Sequence, residues 1–190
     1  MARARRMSGM PVDELADALL AARAQDGDPD AFRELVRRHA GLMRAYVVRI
    51  VGSLTEADDV VQNAFLIAWR QLGTLKDPAA VKAWLMKVAS REAYAYLKKR
   101  PADLALIGFD VPHAEESEPE KVAVRNAQLA ALSAALDTLP EDQRRCWLLR
   151  EVAELSYTEI AQELDTSVST VRGLLSRARS SITIHMEGWR

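Results

Sequence analysis

The chain has 190 residues, of which 49% are hydrophobic and 28% are charged, with a formal net charge of −1. This composition excludes a disordered chain and allows one domain or two small ones. The single cysteine, Cys146, excludes an intrachain disulfide and fits a reducing compartment. Glycine and proline are few and period-2 runs are missing, so we expect an all-α fold. No apolar run approaches the roughly 18–20 residues of a membrane-spanning helix.

Signals for helix starts predict four helices in the first half, near residues 12–25, 29–51, 55–72 and 78–99. Asp28-Pro29 and Asp77-Pro78 each place a capping residue before a proline at the first helical position. Ser53 precedes Glu56 by three residues, which is a capping-box pattern. The basic stretch "MARARRMSGM" is not followed by the hydrophobic core of a signal peptide, so we expect a cytoplasmic protein without membrane insertion.

The helix within Glu56–Leu72 has one continuous apolar stripe and one unusual residue opposite it. The stripe consists of Ala57, Val60, Val61, Ala64, Phe65, Ala68, Trp69 and Leu72. Leu66 lies at the centre of the opposite face, among Asp59, Gln62, Asn63 and Arg70. A single exposed leucine between polar side chains needs no explanation by itself.

The next helix combines an apolar stripe with a basic row. The stripe consists of Val81, Trp84, Leu85, Val88 and Tyr96, and the row consists of Lys87, Arg91, Tyr94 and Lys98, followed by Lys99 and Arg100. Cations that flank an aromatic ring fit single-stranded nucleic acid, because bases stack on the ring while cations follow the phosphates. The alternative is a solvated basic face with a tyrosine in it by chance. Glu92 falls on the apolar stripe, where the sequence offers no partner for it.

The chain changes character between Pro101 and Lys121. This stretch has six acidic residues and one basic residue, a net charge of −5, three prolines and no helical stripe. Helical periodicity resumes near Val122. We therefore predict an N-terminal helical unit (residues 10–100), an acidic linker (101–121) and a C-terminal helical unit (122–186).

The C-terminal unit contains the pattern of a helix-turn-helix. Thr138 and Ser156 each precede a glutamate by three residues, as in a capping box. The helix after Ser156 has an apolar stripe of Tyr157, Ile160, Ala161 and Leu164, and the later helix has one of Val168, Val171, Leu175, Ala178 and Ile182. Asp165 suits the left-handed backbone of a tight turn between them, and Ser167 suits the cap of the second helix. Such a second helix enters the major groove of duplex DNA.

The exposed face of that second helix supports DNA binding. Ser169, Thr170 and Arg172 lie at its N-terminal end, where side chains reach base edges. Arg177 and Arg179 lie further along and suit phosphates. No acidic residue occurs between Val168 and Ile184.

With these motifs in place, the chain resembles an RNA polymerase sigma factor of the extracytoplasmic-function type, from about Asp13 to Ile182. "ADDVVQNAFLIAWRQL" is similar to the family's core-binding helix, and "LDTLPEDQRRCWLLREVAELSYTEIAQELDTSVSTVRGLLSRARSSI" is similar to its promoter-binding C-terminal domain. The resemblance implies core RNA polymerase as partner, through the β′ clamp and the β subunit, together with promoter DNA and an anti-sigma factor. It also implies base capture near the loop Gly73–Pro78 and passage of the acidic linker through the polymerase channel.

The resemblance, with the patterns above, assigns three sets of site residues. The core-binding residues are Asp58, Asp59, Gln62, Asn63, Leu66 and Arg70. The residues for the −10 element are Lys76, Lys87, Arg91, Tyr94, Lys98 and Lys99. The residues for the −35 element are Ser167, Ser169, Thr170, Arg172, Ser176, Arg177 and Arg179.

Three departures from the family pattern concern promoter preference. Arg91 stands where similar proteins usually have asparagine, and Ala95 where they often have aspartate. In the recognition helix this chain has "TVRGLL" where the family often has "TVRSRL", so Gly173 and Leu174 replace a serine and an arginine.

Two other classes of protein are alternatives to a sigma factor. A helix-turn-helix regulator acting without polymerase shares the C-terminal unit but explains neither the surface around Leu66 nor the second basic helix. An enzyme would need a catalytic constellation. His39, His113 and His185 are scattered without metal-ligand spacing, and Cys146 reads as a core thiol, so we expect no catalysis, metal or cofactor.

Overall fold

The computed structural model describes residues 15–99 and 131–187, and all regular structure within them is helical. The first range contains α1 (Asp17–Gln25), α2 (Pro29–Val51), α3 (Leu54–Gln71) and α4 (Val81–Lys99), with short 3₁₀ turns at Leu72–Thr74 and Pro78–Ala80. The second range contains a helical segment at 131–137, then α5 (Glu141–Glu151), α6 (Tyr157–Glu163) and α7 (Val168–Glu187). The all-α prediction is confirmed. The predicted linker 101–121, residues 10–14 and 100 of the first predicted unit, and residues 122–130 of the second lie outside the described residues.

The predicted caps fix the start of α2 and of the turn before α4. Asp28 accepts hydrogen bonds from the backbone N–H groups of Asp30 and Ala31, at 3.0 and 3.2 Å. Asp77 accepts one from Ala79 at 3.0 Å. Both side chains satisfy backbone donors that have no partner inside a helix.

The first described helix begins at Asp17, and the predicted start near residue 12 lies outside the described residues. Leu15 and Ala16 are not helical. The side chain of Leu15 is buried, and its carbonyl accepts a hydrogen bond from Arg38 Nη1 at 2.6 Å. This carbonyl is therefore bound by a side chain of α2 instead of continuing a helical ladder.

The N-terminal unit packs α2, α3 and α4 against one another. The predicted stripe of α3 is buried from Ala57 to Ala68, and the Tyr46 hydroxyl of α2 donates to Ser90 Oγ of α4 at 3.1 Å inside the core. Trp69 departs from the prediction, because 41% of its surface is exposed. Its ring lies 4.9 Å from that of Phe32, at the edge of the core near the end of α3.

The C-terminal unit has the predicted helix-turn-helix. Ser156 and Glu159 form both hydrogen bonds of a capping box at the start of α6. Asp165 has a φ of 49° in the turn, and Ser167 Oγ accepts from the Thr170 N–H at 3.1 Å. The capping role predicted for Thr138 is wrong. Its hydroxyl donates back to the Ala135 carbonyl at 2.8 Å, and α5 begins after Pro140 without a side-chain cap.

Cys146 and His39 are both buried. The Cys146 thiol points to the Val171 carbonyl, 3.8 Å away, and burial raises its pKa to about 11. His39 Nε2 lies 2.9 Å from an Asp17 carboxylate oxygen. Among residues 15–99 and 131–187, no helix is both long enough and apolar enough to cross a membrane.

Glu34, on α2, makes the stability of the fold depend on pH in the acidic range. Its carboxylate accepts hydrogen bonds from Arg37 and Arg38, and these bonds lower its pKa from 4.5 to about 2. Because the folded pKa lies below the unfolded one, this carboxylate stabilises the fold above about pH 4.5. That stabilisation is lost as the pH falls from there toward 2.

We therefore expect Glu34→Gln to lower the free energy of unfolding at neutral pH and to flatten its decline between pH 4.5 and 2. Denaturant titrations at stepped pH measure both effects. Glu187→Gln, which removes an exposed carboxylate, is the control. Parallel pH profiles for Glu34→Gln and the native chain contradict this account.

Candidate functional site

The outer face of α3 is open, as predicted. Asp59, Gln62, Leu66 and Arg70 are exposed, and 57% of the Leu66 surface faces solvent. The opposite side of the same helix forms the core of the unit, so burial of that stripe fixes the direction of these four side chains. The result is a small apolar surface with hydrogen-bonding groups on each side.

Two of the predicted core-binding residues have partners within the chain. Asp58 forms a two-point ion pair with Arg44 of α2, at 2.6 and 2.9 Å. Asn63 Nδ2 donates to Glu92 Oε2 of α4 at 2.7 Å. This bond also explains Glu92, which is half-buried beside the α3–α4 contact instead of lying in the apolar core.

The loop after α3 is held by a residue that the sequence reading missed. Gln25, the last residue of α1, donates from Nε2 to the carbonyls of Leu72 and Leu75, at 3.0 and 2.8 Å. Leu75 is also buried, whereas Lys76 at the tip is exposed. The backbone of the loop is therefore fixed, and Lys76 projects from it.

The basic row of α4 is covered over part of its length. Lys98 and Lys99 are exposed, but Lys87 Nζ lies 3.4 Å from Gln162 Oε1, and Arg91 Nη2 donates to Glu163 Oε2 at 3.1 Å. Both partners belong to α6. The row exists as predicted, and the C-terminal unit lies against it.

Tyr94 is not the open stacking surface that the sequence suggests. The guanidinium carbon of Arg145 lies 4.5 Å from the centre of its ring, and burial raises the pKa of Tyr94 to about 12. Periodicity identifies the face of a helix on which a residue lies, but not which distant segment covers that face.

The exposed face of α7 matches the prediction in position. All seven residues assigned to it are exposed. The hydroxyl of Ser167, which caps the helix, lies 2.7 Å from Ser169 Oγ and 2.9 Å from Thr170 Oγ1. Arg179 is paired with Glu151 of α5 at 2.8 Å, whereas Arg172 lies near the free N-terminal end of the helix.

Gly173 and Leu174, the two residues of α7 that depart from the family pattern, have different structural settings. Leu174 is half-buried and packs against the core. A Cβ atom at Gly173 would lie 3.4 Å from Arg177 Nη1, so the guanidinium of Arg177 lies over this glycine. Arg177 therefore places its charge one helical turn closer to the N-terminus of α7 than its own position.

Glu163 and Arg145 are the other residues that the sequence reading missed. Glu163 is buried, with only 1% of its side chain exposed, and Arg145 Nη2 lies 3.8 Å from its Oε1. The spacing along α6 could have predicted the burial of Glu163. It follows the buried Ile160 by three residues and therefore lies near the inner side of α6.

Two family models match separate stretches of the chain. Residues 35–101 match the family model described as Sigma-70 region 2, and residues 129–182 match the one described as Sigma-70, region 4.

Relatives span nearly the whole chain. It is 35% identical to the RNA polymerase sigma-H factor of Pseudomonas aeruginosa, over 87% of this chain and 91% of that protein. It is 34% identical to the ECF RNA polymerase sigma-E factor of Escherichia coli K12, over 90% of this chain and 94% of that protein. Among solved structures, CnrH in complex with the cytosolic domain of CnrY is similar, with a TM-score of 0.69, 26% identity and coverage of 90% and 97%. The sigma factor RpoE of Bartonella quintana, solved with the anti-sigma factor NepR, shares the fold at a TM-score of 0.67 and 23% identity, over 84% of this chain and 98% of that one.

The hydrogen bonds of Gln25 predict that this side chain keeps the loop after α3 ordered. We expect Gln25→Ala to speed amide hydrogen exchange at Leu75 by roughly tenfold or more, because two buried acceptors lose their donor. Gln71→Ala, an exposed position beside the loop, is the matched control. Equal protection of Leu75 in both variants means that Gln25 does not hold the loop.

Proposed function

This chain belongs to the RNA polymerase sigma factors of the extracytoplasmic-function type, and we propose which of its exposed faces contacts core polymerase and which contact promoter DNA. It is a transcription initiation factor that binds core polymerase and directs it to specific promoters, not an autonomous regulator. Its family points to a non-enzymatic role. The proposals below concern which residues make each contact.

The outer face of α3 is proposed to bind the β′ clamp of core polymerase. The observation that carries this assignment is the exposure of Leu66 at the centre of a polar face whose opposite side is buried from Ala57 to Ala68. Leu66 supplies apolar area, and Asp59 and Gln62 supply directional hydrogen bonds. Asp58 and Asn63 support this surface through their bonds to α2 and α4.

The basic row of α4 and the loop before it are proposed to capture the melted −10 strand. Lys87, Arg91 and Lys98 follow the phosphates, and Tyr94 offers a ring for a base. The loop Gly73–Pro78 lies at the start of this helix, and Gln25 fixes its backbone for a flipped base. Flipping costs only a few kcal/mol where the duplex is already opening. Lys76 and Lys99 extend the positive surface at the two ends.

The exposed face of α7 is proposed to recognise the −35 element as duplex. Arg172 and the hydroxyls of Ser169 and Thr170 lie near the N-terminal end, where base edges are within reach. Ser176, Arg177 and Arg179 suit the phosphates. The hydroxyl of Ser167 serves first as the helix cap.

The remaining assignments concern the whole chain. We propose functional units at residues 10–100 and 122–186, joined by the acidic linker 101–121, which passes through the polymerase channel beside the β subunit. The protein acts in the cytoplasm, where its polymerase partner is. An anti-sigma factor is the proposed regulator, as a solved relative of the same fold has one bound.

Run-off transcription with purified core polymerase on a genomic fragment library tests which contacts α3, α4 and α7 make, and it identifies the promoters. Specific transcripts that depend on this chain, and that share two sequence elements, are the expected result. Promoters that lack a shared upstream element contradict the role given to α7.

Substitution of Leu66 tests the docking surface. We expect Leu66→Asp to weaken binding to core polymerase by roughly tenfold or more, because one apolar side chain is lost from the contact and a charge is desolvated. Ile184→Asp is the matched control, since Ile184, on α7, is the other strongly exposed aliphatic side chain among the described residues, at 69%. Fluorescence titration of core measures both. Equal affinities contradict the assignment.

Substitution of Arg172 tests base recognition at −35. We expect Arg172→Ala to reduce the preference for the −35 sequence over random duplex by about 1–3 kcal/mol. Arg179→Ala is expected to weaken binding to both duplexes alike, as a phosphate contact does. Competition binding on the two DNAs measures the ratio. An equal loss on both duplexes for Arg172→Ala makes it a phosphate contact instead.

A further inference from the structure

A groove lies between α3 and α4, beside the outer face of α3. Its volume is about 160 Å³. Cavities of about 150 Å³ hold a single benzene-sized group, so the groove has room for one side chain. Asp59 and Asn63 line it from α3, and both belong to the surface assigned to core polymerase. The groove is therefore continuous with that surface and extends it onto α4.

Apolar side chains form part of the lining. Val60 is buried, whereas Ala95 and Tyr96 of α4 are half-buried. Ala95 is one of the departures from the family pattern, and its methyl group leaves space that a longer side chain would fill. The groove thus offers apolar contact to the stem of an entering side chain.

The charged groups of the lining leave an excess of negative charge. Among the described residues, neither Asp59 nor Glu92 is in an ion pair, although both line the groove. Glu92 Oε2 accepts a hydrogen bond from Asn63 Nδ2 at 2.7 Å, and this neutral amide does not compensate the charge. Lys99 is the one cation of the lining, and it is exposed. Two carboxylates and one ammonium therefore favour a positively charged occupant.

We propose that this groove binds an arginine side chain of core polymerase, with its stem against Ala95 and Tyr96 and its guanidinium between Asp59 and Glu92. Long cationic side chains bury their stems along apolar surface and keep the charged group at the edge. A guanidinium has enough N–H donors to serve two carboxylates at once. A DNA phosphate is the wrong occupant, because it would approach both carboxylates.

This inference rests on the proposed role of α3. It adds to the core-binding surface a residue of the next helix, Glu92, which selects the charge of the partner's side chain. The sequence pattern placed Glu92 on an apolar stripe, and the groove gives its carboxylate a ligand outside the chain.

Substitution of Glu92 tests the charge. Glu92→Gln keeps the shape of the side chain and an oxygen that can accept from Asn63. We expect it to weaken binding to core polymerase by roughly three- to tenfold at low salt, and we expect the difference to shrink as salt is added. Glu187→Gln, which removes an exposed carboxylate on α7, is the matched control for net charge. A loss that does not change with salt makes Glu92 a structural residue and overturns the inference.

A second variant fills the groove. We expect Ala95→Leu to weaken core binding to a similar extent, whereas Ala134→Leu, at an exposed position of the helical segment 131–137, leaves it unchanged. A loss with Ala95→Leu but not with Glu92→Gln means that the occupant is apolar, and it overturns the assignment of arginine. If Leu66→Asp weakens core binding and neither groove variant does, the groove inference fails and the role of α3 stands. If Leu66→Asp has no effect either, the proposed role of α3 fails.

Cross-linking identifies the partner's side chain. A benzophenone maleimide on Lys99→Cys lies at the groove, and the native Cys146 is buried with a pKa of about 11, so it stays unreactive at neutral pH. Mass spectrometry of the product with core polymerase gives the peptide that faces the groove. We expect an arginine of that peptide to show coupling, so that its replacement by glutamine causes no further loss in the presence of Glu92→Gln. Additive losses for every arginine of the peptide overturn the inference.

Discussion

The burial of α3 along one side is the constraint on which the rest of the N-terminal unit depends. Its buried residues include Ala57, Ala64 and Ala68, and α2, α3 and α4 all pack against one another. This packing turns Leu66 outward. The hydrogen bond from Asn63 to Glu92 and the ion pair of Arg44 with Asp58 then join the same three helices at their surface. One apolar stripe thereby orients an exposed face that it does not itself contain.

The helices and the faces of their side chains were largely predictable from local chemistry. The start of α2 at Pro29 follows from a cap whose donors lie two and three residues away, and the turn at Asp165 follows from one residue's tolerance of a left-handed backbone. Thr138 is the instructive failure, because the same pattern that caps a helix at Ser156 closes one at Thr138. A hydroxyl can serve either end of a helix, and the flanking sequence did not decide which.

The contacts between the two units were beyond sequence reading for a different reason. Arg91 and Glu163 are 72 positions apart, and their pairing depends on where two separately folded surfaces meet. The pattern predicted that Arg91 is exposed, which the structure confirms, and that Tyr94 is available, whereas Arg145 covers its ring. What covers them is a property of the assembled chain. Gln25 is similar, since a glutamine at a helix end carries no signal for the carbonyls 47 and 50 positions away.

The C-terminal unit thus has a polar asymmetry, with acidic and amide groups toward α4 and a row of cations on α7. Salt weakens the electrostatic interactions of both surfaces. Added ions weaken the attraction of α7 for phosphates, and they also loosen the pairs that hold Lys82 and Arg91. The ion pairs between α4 and the C-terminal unit and the attraction of α7 for phosphates therefore weaken together as the ionic strength rises, so salt loosens the internal pairing of the chain and its hold on DNA over the same range.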